Sequence, residues 1–133
     1  MGTRSITKIQ DQSGIVYVCM YRQYDGYLSG HGKELYDFLS GIILVNGFNS
    51  ETKAMAANGI GCLSAQMIAH FKTEIGQFYI EPSTTSQIEE YNYTVIVDKL
   101  TGDIRIEVSD YLNKVFFAGT LPQFLVYILE SGD

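Results

Sequence analysis

Hydrophobic spacing along this chain changes period in an order that predicts strands, then helices, then strands again. Residues 3–9 and 15–22 read as two strands, with Asp11-Gln-Ser-Gly14 supplying turn chemistry between them, so the chain should open with a hairpin. On the second strand Ile15, Tyr17, Cys19 and Tyr21 fall on one face and Val16, Val18, Met20 and Arg22 on the other. Both faces are largely apolar, which places this strand in the interior of a sheet. Leu35, Phe38, Leu39, Ile42 and Ile43 then follow the i, i+3, i+4, i+7, i+8 spacing of an amphipathic helix closing near Asn46-Gly47. A polar, small-residue stretch over 49–58 leads into a second helix with Ile60, Leu63, Met67, Ile68 and Phe71 as its buried stripe.

The remainder reads mostly as strand. Residues 77–80 form a short strand, 91–98 and 104–108 are joined by a turn over 99–103, and 111–118 continue the meander with Val115, Phe116 and Phe117. Thr120-Leu-Pro-Gln123 then has the form of a helix N-cap with proline in the first turn, opening a last helix that carries Phe124, Leu125, Tyr127, Ile128 and Leu129. The expected fold is α+β: a mainly antiparallel sheet, made of the N-terminal hairpin plus a C-terminal meander, covered by about three helices. At 133 residues this is one domain, with residues 82–88 a surface loop.

Composition narrows the functional classes. Hydrophobic residues make up 46% of the chain, yet no apolar run approaches the roughly 18 residues of a membrane span. The N-terminus has no apolar segment of the secretory kind, and Ile6 stands where a myristoylation signal needs Ser or Thr. Cys19 and Cys62 lack metal-type spacing, and a reducing cytoplasm is the expected location, the host cytoplasm if the chain is phage-encoded. A net charge of −6 argues against long nucleic acid or an anionic membrane as partner.

Ligand-binding chemistry concentrates in residues 21–34, which hold three tyrosines at every third position, Arg22, Asp25, His31, Lys33 and three glycines between a strand and a helix. Backbone N–H groups at a glycine-punctuated helix start favour an anion such as phosphate. Arg22, Tyr24, Tyr27, Gly30, His31, Gly32 and Lys33 are therefore the expected ligand face, with Asn58, Gly59, Gly61 and, unless it is a solvated surface charge, Arg4 of the first strand as possible neighbours. In this reading glycine amides and Lys33 hold phosphate, Arg22 forks an anion and a tyrosine stacks a base. The alternative is that the glycines serve only a strand-to-helix connection. The Gly-Lys ending is not a phosphate-binding P-loop, because the spacing from Gly26 is one residue too long and Glu34 replaces the Ser or Thr that would ligate magnesium. His31 and His70 are too far apart for a metal centre, and no metal or cofactor is expected.

Met1-Gly-Thr-Arg, Asp25-Gly-Tyr followed by Ser29-Gly-His-Gly, Asn58-Gly-Ile-Gly-Cys-Leu and Ala69-His-Phe-Lys72 resemble a family of small, largely uncharacterised phage and prophage proteins, over about the first 80 residues. Leu28 stands where that pattern has proline. The family brings no activity, cofactor or catalytic residues to carry across. The phage setting implies a use for the loop: a non-enzymatic protein sequestering a phosphorylated nucleotide-like signal, a cyclic oligonucleotide or cyclic ADP-ribose derivative, and so blocking host anti-phage immune signalling. Two alternatives remain open. One is a nucleotide-cleaving enzyme using Asp25, His31 and Lys33. The other is a protein-interaction inhibitor of a host factor that uses the acidic surface and exposed aromatics of the C-terminal sheet. Unpaired sheet edges lead us to expect a homo-oligomer, with residues 111–117 the contact surface or, alternatively, part of the monomer core.

Overall fold

The computed structural model describes residues 2–47 and 56–131. Its main sheet has six strands, β1 (Ser5–Asp11), β2 (Val16–Arg22), β5 (Phe78–Glu81), β6 (Tyr91–Val97), β7 (Ile104–Ser109) and β8 (Val115–Thr120). They lie in the order β5-β2-β1-β6-β7-β8. The N-terminal hairpin and the C-terminal meander are both present, and the α+β expectation holds. What joins them is a parallel pairing of β1 with β6, from Ser5 against Tyr91 to Asp11 against Val97. The Asp11 turn is as read, its Oδ1 accepting from the amides of Ser13 (2.9 Å) and Ile15 (3.0 Å); the turn over 99–103 is set by Asp98, which the periodicity places in the strand and whose Oδ1 accepts from the amides of Leu100 (2.8 Å) and Thr101 (3.2 Å).

Helices α1 (Lys33–Ser40), α2 (Gly59–Phe71) and α3 (Leu121–Ser131) bury their apolar stripes in one core with the sheet. α2 lies over β1 and β2, α3 over β7 and β8, and α1 beside α3. Between them stand Ile9, Met20, Tyr93, Val95, Ile106 and Val108, all essentially inaccessible. On the other side of the sheet the connection leading to β6 touches β1, where Lys8 Nζ donates to the Thr85 carbonyl at 3.5 Å. Among the described residues no helix is long and apolar enough to cross a membrane.

Three element boundaries differ from the periodicity. α1 ends at Ser40 with Gly41 as its cap, and Ile43–Val45 forms β3, paired in parallel with β4 (Ala56–Asn58). Consecutive Ile-Ile-Leu-Val is stiff at χ1 and suits a strand once a partner is present, so tertiary pairing overrides the helical spacing of Ile42 and Ile43. The polar stretch over 49–58 is described only in its last three residues, as β4; residues 48–55 lie outside the described residues. Residues 110–114 are a turn rather than strand, because Asp110 Oδ1 accepts from the amides of Leu112 (2.9 Å) and Lys114 (3.0 Å) and delays β8 to Val115.

The start of α3 is a reciprocal cap. Thr120 N donates to Gln123 Oε1 at 2.9 Å, and Gln123 N to Thr120 Oγ1 at 3.4 Å. Replacing Thr120 with Ala should lower stability by about 1 kcal/mol, read as a shifted urea midpoint at unchanged m-value. An unshifted midpoint would mean that β8 alone sets the start of α3.

Candidate functional site

Arg22 ends β2 opposite Ser5, and its alternation places it on the helix-covered face. A guanidinium there needs partners, and the following loop supplies them. Arg22 Nε donates to the Tyr24 carbonyl at 2.8 Å, and its terminal nitrogens donate to Glu34 Oε1 (3.1 Å) and Oε2 (3.4 Å). The cation also lies 4.9 Å from the centre of the Phe78 ring. Its Nη1 is 3.1 Å from His31 Nδ1. Arginine can only donate, so Nδ1 must accept and the ring proton sits on Nε2, which donates to Thr7 Oγ1 at 2.7 Å. His31 is fully enclosed, with Phe71 and Tyr93 rings each 5.1 Å away. Burial, with the Arg22 charge beside it, pushes its pKa down to about 3.

The loop between them closes on itself. Residues 28–32 form a π-helical turn running directly into α1. His31 N donates to the Asp25 carbonyl at 2.8 Å, and Tyr93 Oη donates to the Gly26 carbonyl at 2.7 Å. A Cβ on Gly30 would stand 2.6 Å from the Asp25 oxygen, and one on Gly26 2.8 Å from Ser5 Cβ. Glycine is required at both positions by close approach of the chain to itself.

The expected ligand face is only partly brought together. Arg22, His31 and Gly32 are buried, while Tyr24 is exposed and Tyr27 and Gly30 are half-buried. Each cation already has an acid: Arg22 has Glu34, Lys33 has Asp37 at 2.9 Å, and Arg4 has Glu89 at 3.4 Å. Asn58, Gly59 and Gly61 lie elsewhere. Gly59 lines a groove with Val97 and Lys99 at the Asp11 end of β1, whereas Arg22 is at the Ser5 end, roughly 20 Å away for a seven-residue strand. Asn58 Oδ1 instead accepts from Gly47 N at 2.7 Å. Asp25 and His31 meet through the backbone, not as an acid–base dyad.

A cavity of about 620 Å³ opens between α3 and the strands β6 to β8. Tyr91, Phe116, Tyr127 and Tyr111 give it aromatic walls, Leu28 of the π-turn contributes an apolar side, and Glu90, Asp110 and Glu130 carry its acidity. A β-bulge creates one of the walls. Val108 pairs with Phe117 and Ser109 with Val115, which leaves Phe116 the extra residue, 6.1 Å from Tyr127 and 6.3 Å from Tyr91 between ring centres. Glu90 is shared with Arg4, and Asp110 caps its turn, but Glu130 has no partner among the described residues. From the sequence, the aromatic run 111–117 is expected at a contact between copies, with no link to Tyr91, Tyr127 or Glu130. Tyr127 and Glu130 are i, i+3 on one helix, which was readable; the bulge was not.

Comparison with protein-family models, with curated proteins and with solved structures yields no match. The phage-family resemblance thus rests on its short motifs alone.

Two outcomes follow from the buried network. Unfolded His31 titrates near 6.5 and folded His31 near 3, so between these values the unfolded chain holds a proton that the folded chain lacks. His31 should therefore make stability fall as pH drops through that window, at up to about 1.4 kcal/mol per pH unit, with no contribution to the slope above it. Denaturation of wild type and His31→Gln across that window should give a shallower slope for the variant; equal slopes would mean His31 is accessible to protons. Arg22→Ala, which orphans Tyr24 O and His31 Nδ1, should cost about 3 kcal/mol, whereas Lys33→Ala should cost about 0.4 kcal/mol for an exposed i, i+4 pair. Similar losses from the two variants in thermal melts would remove the distinction.

Proposed function

We propose that this protein is a non-catalytic recognition module whose aromatic, acid-rimmed cleft takes a cationic side chain from a basic segment of a partner protein. Glu130 carries the reading. It sits in the last turn of α3, where the carbonyl end of a helix disfavours a carboxylate, and no cation answers it among the described residues. Around it stand the faces and edges of Tyr91, Tyr111, Phe116 and Tyr127. Aromatic walls with a carboxylate rim suit an ammonium or guanidinium group, which gains cation–π attraction on entering and an ion pair at the mouth. The volume is within the range of small-ligand clefts.

This corresponds to the interaction-inhibitor alternative: in the phage setting that the N-terminal motifs resemble, such a module would act by occupying a basic surface of a host factor. Sequestration of a phosphorylated signal by residues 21–34 is the weaker proposal. An anion there would have to displace Glu34 from Arg22 and Asp37 from Lys33 before meeting a free cation.

Calorimetry with an oligolysine peptide, a matched neutral peptide and a panel of mono-, di- and cyclic nucleotides tests the reading. We expect heat with oligolysine alone, diminishing as salt is raised. Glu130→Gln should weaken that binding about fivefold, near 1 kcal/mol, while raising the stability of the free protein by about 0.3 kcal/mol as the unfavourable helix-end charge is removed. Tyr111→Ala, at a residue 69% exposed, should weaken binding with little effect on melting. Heat with a nucleotide and none with oligolysine would return the site to the glycine loop.

A further inference from the structure

The two edges of the main sheet are guarded differently. β5 is four residues long, includes Glu81, and is covered by Lys72, whose Nζ donates to the carbonyls of Gly76 (2.8 Å) and Phe78 (2.9 Å) and lies over the Tyr79 ring. Short length and a charged side chain are the usual means of keeping other chains off an edge. β8 has neither. Its six residues, Val115–Thr120, contain no charge and no proline, and it is the last strand in the sheet order, so its outer backbone groups face no strand among the described residues. Val115 is half exposed, and Leu112 just before it is 71% exposed.

This open edge adjoins the acidic cleft, because the bulged Phe116 belongs to both. We propose that the partner's basic segment binds as an added seventh strand along β8, with one lysine or arginine side chain entering the cleft toward Glu130. The proposal rests on the cleft reading above and extends it to a binding mode. Strand addition takes its affinity from main-chain hydrogen bonds and its specificity from alternate side chains. Successive side chains of an extended segment point to opposite faces, so a residue paired near the Phe116 end sends its side chain toward the face that carries α3 and the cleft.

Charge selects the occupant. Two copies of the chain each carry −6 and repel at low ionic strength. A two-fold antiparallel pairing of β8 with itself would also set the uncharged Thr120 end of the second copy beside the cleft and leave Glu130 unanswered. A basic extended segment meets both the backbone edge and the carboxylate.

The test uses the whole protein, labelled with ¹⁵N, and an acetylated, amidated seven-residue Thr/Val peptide with one central lysine. Amide hydrogen exchange should show new protection at those β8 amides that do not pair with β7. N-methylating alternate peptide residues should weaken binding roughly tenfold in one register and leave it unchanged in the other, since only one row of peptide amides faces the edge. If both N-methylated peptides bind like the parent and Glu130→Gln still weakens them, strand addition is wrong and the cleft reading stands. If the lysine peptide does not bind, both are wrong. If β8 amides are already protected without peptide and light scattering gives twice the monomer mass, a second copy holds the edge and strand addition is overturned.

Discussion

A buried guanidinium must satisfy its donors, and in this protein that requirement organises the region where the hairpin, α1 and the meander meet. Arg22 is 3% exposed at the end of β2. Its hydrogen bonds bring the chain back at Tyr24, at His31 and at Glu34, which fixes both ends of the loop and the start of α1. His31 passes the constraint to β1 through Thr7, and Tyr93 passes it to β6 by holding the Gly26 carbonyl. The parallel β1–β6 pairing and the loop therefore stabilise each other. A neutral residue at position 22 would remove the ties to Tyr24, His31 and Glu34 that hold the π-turn over the sheet.

That arrangement explains why the loop's composition pointed toward a ligand. Glycines, a histidine, an arginine and a lysine at a strand-to-helix junction are what an anion site requires, and they are also what a tightly folded connection with an internal ion pair requires. The two differ in where the negative charge comes from. Here Glu34, two residues after Gly32, supplies it from within the chain, with 49% of its side chain still in water. Read from the sequence, Glu34 is a mismatch to a P-loop and not a partner for Arg22. Nothing in the spacing says that a glutamate at the first turn of α1 reaches back to a residue 12 positions earlier, since that contact exists only once the π-turn has set the helix direction.

The more local a feature's cause, the more of it was legible. The Asp11 turn, the Thr120 cap and the interior position of β2 follow from interactions within a few residues or from two-faced apolarity, and they are present as read. The early end of α1 depended on a partner strand, and the late start of β8 on a side-chain bond competing with strand pairing. The cleft depended on three separate segments. Tyr91 comes from the start of β6, Phe116 from a bulge and Tyr127 from α3, and only the sheet order makes them neighbours.

The charges of the molecule divide accordingly. The cations in and beside the loop are held internally, Arg22 by Glu34, Lys33 by Asp37 and Arg4 by Glu89 and Glu90, so they present little positive potential outward. At the cleft, Glu90 accepts from the Arg4 amide at 3.3 Å and lies 3.8 Å from its guanidinium, Asp110 is engaged by backbone amides, and Glu130 is unopposed among the described residues. A field of this sign over an aromatic surface attracts cations at a distance and retains them at contact, two effects that respond differently to salt and to loss of a ring. An aromatic cleft whose Glu130 meets no counter-charge among the described residues is a place where the fold leaves an interaction incomplete.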